Sequence, residues 1–229
     1  MNEQVTALVV TAMEEEARPY LLHGAEELET PIGSAWRAEI GGRDCVLLVS
    51  GIGLVNAAAA VTALLGRFTP NGLISSGSAG GLAQGIFVGD VVVGNAYAYH
   101  DADATNFGYA RGQVPGMPER YAADRDLVSQ ALGARIENVR VRPGKIVSGN
   151  SFIYSETVDA VRAAFPNALA ADMESAALAQ VAHLFGLRFV SVRAVSDLCG
   201  PHAGDDFSMS VAEVSERAAA VVEAVVTRL

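Results

Sequence analysis

Short aliphatic runs alternate with longer amphipathic stretches along this chain. Val5–Thr11 and Cys45–Ser50 are almost entirely apolar, which is typical of strands buried on both faces. Leu54–Phe68 and Val211–Leu229 instead repeat apolar residues at helical spacing. The same criteria predict further strands at Ser34–Ile40, Gly72–Ser76, Asp90–Tyr99, Val139–Val147, Ala168–Asp172 and Phe189–Val195, and further helices at Met13–Leu22, Asp124–Leu132, Ser155–Ala164 and Met173–Phe185.

This alternation predicts an α/β fold with a mainly parallel sheet covered by helices on both faces. No internal repeat, low-complexity tract or Ser/Pro-rich linker interrupts it, so we expect a single domain over residues 1–229. The stretch His100–Tyr121 combines Gly, Pro and aromatic residues and is predicted to be a long loop. Loops of this length are commonly functional, and its aromatic content favours that interpretation.

Composition and charge limit the kinds of molecule that this protein can bind and the compartment in which it is expected. Of 229 residues, 51% are hydrophobic and 18% charged, and the formal net charge of −10 argues against nucleic acid or an anionic membrane surface as partner. Cys45 and Cys199 form neither a close pair nor a metal-binding spacing, which favours a reduced, cytoplasmic compartment. The apolar run Val5–Met13 is short and ends in three glutamates, so neither a signal peptide nor a membrane span is expected.

Carboxylates follow two of the predicted strands. Glu174 lies just after Ala168–Asp172, and Asp197 closes the run that contains Arg193. In open α/β sheets, ligands bind outside the carboxyl ends of the strands, so these three residues are candidates for a small-molecule site. Helix caps or ion pairs explain any one of them equally well.

Two glycine-rich segments also follow strands. Gly51–Asn56 has the outline of a dinucleotide fingerprint but lacks the acidic residue expected about 20 positions later. Gly77–Gly81 lacks the lysine of a phosphate-binding loop, and we predict a turn whose backbone and serines contact a polar ligand, the alternative being a turn alone. His100–Asp103 lacks a second ligand cluster, so no metal site is predicted.

Eight short stretches spread over nearly the whole chain form a specific combination: Ala12–Glu16, Ser50–Gly53, Ser76–Gly81, Tyr99–Asp103, Phe107–Tyr109, Ile146–Gly149, Asp172–Glu174 and Val192–Asp197. In this order they resemble the 5′-methylthioadenosine/S-adenosylhomocysteine nucleosidases of the nucleoside phosphorylase superfamily. The resemblance implies a three-layer α/β/α domain with a mixed, mainly parallel sheet, a homodimer with a shared active site, and no cofactor. It also implies irreversible cleavage of adenine from a 5′-thio-substituted ribose.

The resemblance implies a role for each catalytic residue. Asp197 matches the general acid that protonates the purine at N7, and Ser196 helps to orient it. Glu16 matches the base that activates water, while Glu174 and Met173 match contacts to the sugar. Asp197 would have to carry a proton when it acts, and the pair of acid and base follows the logic of an inverting glycosidase.

The remaining implied contacts surround the nucleoside. Ser78 and Arg193 match residues on the ribose and water side, Phe152 matches an aromatic that stacks on the base, and Ile153 offers its backbone to adenine. The 5′ substituent is expected to meet Met13, Ile52 and Phe207 from one subunit and Phe107 and Pro115 from the second.

The sequence departs from the family pattern in four places. Thr11, Asp172 and Asn150 stand where the family commonly has Gly, Glu and Asp, and these three changes leave the catalytic set intact. Cys199–His202 departs from the usual loop after the acid, which leaves the tolerated 5′ substituent in question. Aminofutalosine or futalosine hydrolysis, phosphorolysis, and a non-catalytic nucleoside-binding module are the competing functions. No Arg or Lys lies in Thr11–Glu16 or in Gly77–Gly81, which favours water over phosphate.

Overall fold

The computed structural model describes residues 2–21, 24–200 and 210–229. Phe207, one of the expected contacts, lies outside the described residues, as do Pro201 and His202 of the divergent loop. The described strands are β1 Glu3–Val5, β2 Ala7–Thr11, β3 Glu26–Leu28, β4 Ser34–Ile40, β5 Arg43–Val49, β6 Phe68–Pro70, β7 Leu73–Gly81, β8 Val91–Tyr99, β9 Tyr121–Ala122, β10 Val141–Ser148, β11 Ala168–Asp172 and β12 Phe189–Asp197. The described α-helices are α1 Glu14–Ala17, α2 Leu54–Leu65, α3 Arg125–Leu132, α4 Val158–Ala164, α5 Ser175–Phe185 and α6 Val211–Val226.

A mixed sheet forms the centre of the described chain. Its strand order is β11-β10-β8-β12-β7-β2-β5-β4-β3, with β9 attached to β8. The central pairings β10–β11, β8–β10, β7–β12, β2–β7 and β2–β5 are parallel, whereas β3, β4 and β5 form an antiparallel edge. At the far end of β7, Gly80 and Gly81 also pair with β11, so five strands close into a ring.

Helices cover both faces of this sheet. Along β2, Leu8 and Val10 face a core shared with α2 and α5, while Val9 faces a core shared with α3 and α6. Side chains of successive strand residues point to opposite faces, which is why an unbroken aliphatic run is needed to fill both cores. The predicted layered arrangement of helices and mixed sheet is confirmed.

The structure corrects several local expectations. Gly77–Gly81 is not a turn but the second half of β7. Glycine is needed at position 77 because a side chain there would collide with Arg193 and Glu16. The predicted helix Met13–Leu22 is α-helical only over Glu14–Ala17 and continues as a 3-10 turn over Arg18–Leu21. The predicted helix Ser155–Ala164 begins later than expected, since α4 starts at Val158 with Thr157, not Ser155, at its N-cap.

Two further observations concern the expected compartment. Within the described residues, no helix is both long and apolar enough to cross a bilayer. Cys45 and Cys199 are buried free thiols, and burial raises the pKa of each to about 12.

Candidate active site

A cavity of about 230 Å³ opens at the carboxyl ends of the parallel strands. Six of the eight predicted strands contribute residues at or just after their carboxyl ends to its wall, as the rule for α/β sheets leads one to expect. The lining consists of Ala12, Met13, Glu16, Ile52, Ser78, Ala79, Gly80, Ser151, Phe152, Ile153, Ala171, Asp172, Met173, Glu174, Ser196, Asp197, Cys199 and Val211.

The structure brings together most of the residues expected at the site. Three of the expected residues lie elsewhere in the described chain: Arg193 is fully buried behind the wall, whereas Phe107 and Pro115 are exposed and do not line the cavity. Sequence reasoning missed Cys199 and Val211 as lining residues. The expected residues that line the cavity are Met13, Glu16, Ile52, Ser78, Phe152, Ile153, Met173, Glu174, Ser196 and Asp197.

Three buried acids form one side of the cavity, which we call the carboxylate wall: Glu16, Glu174 and Asp197. Their exposed fractions are 2%, 5% and 3%. A buried carboxylate without partners would be strongly unfavourable, so each must be compensated by hydrogen bonds or by a cation.

Glu16 is compensated by backbone and hydroxyl donors. The first turn of α1 folds back so that Oε2 accepts hydrogen bonds from the N–H groups of Ala12 (2.9 Å) and Met13 (3.3 Å). Oε1 accepts from the N–H (2.8 Å) and the hydroxyl (2.9 Å) of Ser78. These contacts fix the carboxylate as an acceptor directed at the cavity, which suits a group that takes a proton from water.

Glu174 lies between a backbone donor and a guanidinium. The Gly53 N–H donates to Oε1 at 2.9 Å, and this contact depends on a positive φ of 109° that only glycine adopts readily. The Arg193 Nη2 lies 3.5 Å from Oε2. Burial raises the pKa of Glu174 to about 7, partly opposed by Arg193 and reinforced by Asp172 and Glu16.

Asp197 ends β12 and is held by its own neighbours in sequence. The Ser196 hydroxyl donates to Oδ2 at 2.9 Å, and the Cys199 N–H donates to Oδ1 at 2.9 Å. Cys199 has a φ of 53°, a left-handed conformation that turns this N–H back towards the acid. Asp197 therefore has a fixed orientation at the cavity wall and can exchange a proton with a bound base.

Apolar side chains also line the cavity, and we call Met13, Ile52 and Phe152 its apolar rim. Ile52 is 50% exposed and Phe152 is 54% exposed, although both line the cavity. The Ile153 side chain is buried in the loop that follows β10. The aromatic ring of Phe152 provides a surface on which a planar ring can stack.

The residues considered for a metal serve other purposes. The Asp101 carboxylate accepts from the Asn150 N–H at 3.1 Å, and Asp103 forms an ion pair with Arg111. Across the part of the chain that the structure describes, no group of three or more His, Cys, Asp or Glu residues is arranged to hold a metal ion.

Comparisons with known proteins agree with this geometry. A family model described as the phosphorylase superfamily matches residues 6–229. The chain belongs to that superfamily. The 5′-methylthioadenosine/S-adenosylhomocysteine nucleosidase of Anoxybacillus flavithermus is 42% identical over 226 residues, which cover 96% of this chain and 97% of the relative. The chain therefore also belongs to the nucleosidase family that its motifs resemble.

Solved structures of this superfamily show the same fold. The nucleosidase from Neisseria meningitidis, solved in complex with methylthio-immucillin-A, has a TM-score of 0.92 and 39% identity, covering 98% of this chain and 99% of the other. The nucleosidase from Colwellia psychrerythraea, in complex with adenine, has a TM-score of 0.92 and 32% identity, covering 100% and 98%. The predicted nucleoside phosphorylase-like fold is confirmed.

Proposed function

We propose that this protein hydrolyses the N-glycosidic bond of 5′-methylthioadenosine and S-adenosylhomocysteine, releasing adenine and the 5′-thioribose product. The observation that carries the proposal is the carboxylate wall: three buried acids on one cavity exceed what binding a neutral nucleoside requires. The relatives in both comparisons carry names with this activity, and two of the solved ones hold adenine or methylthio-immucillin-A.

In the proposed reaction, Asp197 acts on the leaving group. The bond between C1′ and N9 breaks, its electron pair passes to the purine, and N7 takes the proton of Asp197. Ser196 and the Cys199 N–H hold the carboxylate in place during this transfer. Without this proton, adenine would have to leave as an anion, which is a poor leaving group. With it, adenine leaves as a neutral molecule, and the barrier to cleavage falls.

Glu174 and Glu16 act on the sugar. Glu174 accepts the ribose hydroxyls, and its negative charge stabilises the positive charge that develops on the ring. Glu16 accepts a proton from the water that attacks C1′, so the oxygen of water forms the new bond. The N–H groups of Ala12, Met13 and Ser78 keep Glu16 in place, and the Ser78 hydroxyl can rotate away from Oε1 to leave that lone pair for the proton of water.

Water is a better nucleophile for this cavity than phosphate. A phosphate dianion beside the carboxylate wall would need a facing cation, and none of the described lining residues is Lys, Arg or His. Arg193 is buried behind the wall and already bound by carboxylates and hydroxyls. The same comparisons give no support to a futalosine-type substrate, so that alternative is not retained.

The proposal includes a cytoplasmic homodimer in which Phe107 and Pro115 reach the neighbouring cavity. Both residues are exposed in the isolated chain, and Phe107 is 84% exposed in a short 3-10 turn. Sedimentation of the purified protein tests the dimer. The large apolar side chains that a partner would cover include Ile52, Val55, Phe107, Phe152, Tyr154, Leu184 and Phe185.

Product analysis tests the proposed reaction. The purified protein is incubated with 5′-methylthioadenosine, with and without phosphate, and the products are separated by chromatography. We expect adenine and free methylthioribose in both samples. A sugar 1-phosphate formed only with phosphate would show phosphorolysis, and the absence of adenine from both samples would contradict the proposal.

A further inference from the structure

A single buried guanidinium lies among three carboxylates behind the cavity. The Arg193 Nε lies 2.8 Å from Asp172 Oδ2, and Nη2 lies 3.5 Å from Glu174 Oε2. Glu16 is on the other side of Gly77, whose missing side chain leaves the space in which the guanidinium and Glu16 approach each other. The positive charge of Arg193 therefore interacts with three carboxylates. The more closely it pairs with one of them, the more of that carboxylate's negative charge it compensates.

Of the two carboxylates that pair with Arg193, Asp172 lies closer. The Asp172 and Arg193 side chains are each only 1% exposed, whereas the Arg193–Glu174 contact is 0.7 Å longer, at 3.5 Å against 2.8 Å. The remaining Nη2 contact goes to the Ser75 hydroxyl at 2.8 Å, and Nε also contacts the Ser191 hydroxyl at 3.2 Å. The guanidinium is thus held by its Nε edge, away from Glu174.

The Asp172 carboxylate has no free acceptor site for a substrate. Its Oδ1 accepts from the Ser148 hydroxyl and from the N–H groups of Ser175 (3.2 Å) and Glu174 (3.4 Å). Its Oδ2 accepts from the Ser175 hydroxyl and pairs with Arg193. A carboxylate offers about four lone-pair sites, so these donors occupy all of them although Asp172 borders the cavity.

We propose that Asp172 is a positioning residue that keeps Arg193 from pairing closely with Glu174, so that Glu174 remains available to the ribose hydroxyls. The inference rests on the proposed function, because it assumes that Glu174 holds the sugar. Asp172 acts through Arg193 and touches neither the base nor the reacting carbon.

An amide at position 172 would release the guanidinium. The N–H donors on Oδ1 require the amide oxygen to stay on their side, so the amide NH₂ would face Arg193 Nε, donor against donor. Arg193 would then move towards Glu174. A close pair with Arg193, together with the loss of the neighbouring negative charge of Asp172, would lower the pKa of Glu174 from its raised value.

Several other charged or titratable groups surround this cluster. Tyr97 on β8 and Glu16 on α1 face the guanidinium, and His100 beyond β8 faces Asp172. Burial raises the pKa of Tyr97 beyond the range of a pH profile in water, and His100 does not line the cavity, so we assign the acid limb of the pH profile to Glu174. Asp197 and Glu16 remain in place in the variants below.

The test compares the pH dependence of kcat/KM for 5′-methylthioadenosine in the wild type, D172N and D172E. We expect D172N to lose about tenfold or more in kcat/KM at its plateau, because a small displacement of a sugar-binding group is costly. Its acid limb should move to lower pH by about one unit. D172E keeps the charge and should retain the wild-type limb, with most of the plateau activity restored.

A matched control separates positioning from packing. S148A removes one hydroxyl donor from Asp172 but leaves its charge, so its acid limb should remain at the wild-type position. Two results would overturn the proposal. In the first, D172N is less stable but the acid limb of its kcat/KM profile stays at the wild-type pH. In the second, the acid limb of D172E moves to lower pH as that of D172N does. If D172N does not fold, D172E and S148A carry the test by the same criterion. Adenine release by the wild type is scored separately, so a failure of the proposed function is recognised independently.

Discussion

The carboxylate wall and the apolar rim line the same cavity, but the chain supports them differently. Each acid of the wall is at most 5% exposed and is bound by donors from its own or a neighbouring strand end. Ile52 and Phe152 of the rim are about half exposed and project from loops. The wall is complete within one chain, whereas the rim presents apolar surface that water still covers.

This difference separates the chemistry from the enclosure of the substrate. Groups that stabilise charge must be preorganised, because rearrangement during the reaction would consume the stabilisation they provide. Groups that surround an apolar substituent need only exclude water, and a second subunit can supply them. Substitutions in the wall should therefore lower kcat, whereas substitutions around the rim should raise KM.

The largest effect is expected from Asp197→Asn. The amide cannot donate the proton that the purine needs, so kcat should fall by about 10²–10⁴-fold or more. Adenine release under single-turnover conditions measures the loss, and a thermal unfolding midpoint near that of the wild type shows that the fold is retained. Wild-type rates in this variant would refute the mechanism.

A smaller loss is expected from Glu16→Gln, which leaves purine protonation intact but removes the base. General base catalysis of this kind contributes about 10²-fold or more to kcat. Ser78→Ala is the matched control, because the Ser78 N–H still donates to Glu16 after the hydroxyl is removed. That control should lose no more than about tenfold, the value of one hydrogen bond. Equal losses in both variants would argue that Glu16 only shapes the loop.

The rim is tested with Phe107→Ala. If Phe107 covers the 5′ substituent of a neighbouring subunit, KM should rise by about 10- to 100-fold while kcat stays near the wild-type value, because burying a phenyl ring is worth about 1.5–3 kcal/mol. Phe87→Ala is the control: Phe87 is 59% exposed and lies against Arg140, away from the cavity. An unchanged KM in Phe107→Ala would remove this residue from the site.

The sequence predicts the wall better than the rim or the network behind it. Asp197, Glu174 and Glu16 follow apolar runs, and strand alternation alone places such positions at one edge of a sheet. Arg193 was expected to line the cavity, but its burial depends on Gly77 and on the pairing of β12 with β7, a contact between segments far apart in the chain. Such long-range packing leaves no local pattern.

The end of β7 illustrates the same limit. Glycines in Gly77–Gly81 ordinarily indicate a turn, yet here they continue a strand, because Arg193, Glu16 and Cys199 occupy the space that side chains would need. The lining role of Cys199 likewise depends on a left-handed backbone that nothing in its neighbours requires. Only the folded partners distinguish these glycines from a loop.

The smallest expected effect concerns the stability of the ligand-free wall. Glu174 has a pKa of about 7 in the folded protein against 4.5 for an ordinary glutamate. Below pH 4.5 it is protonated in both folded and unfolded states; as the pH rises towards 7, the unfolded chain releases this proton first. The free energy of unfolding should therefore decrease over that interval by an amount on the order of 1–3 kcal/mol and level off above it.

Chemical denaturation at a series of pH values measures this decrease, and Glu174→Gln is the control because it has no proton to lose. The slope between pH 4.5 and 7 should be smaller in the variant than in the wild type. A nucleoside analogue whose hydroxyls donate to Glu174 should also reduce the slope, because those hydrogen bonds favour the ionised carboxylate. Identical slopes in the wild type and Glu174→Gln would mean that burial does not hold a proton on this residue, and that Glu174 is charged before the substrate arrives.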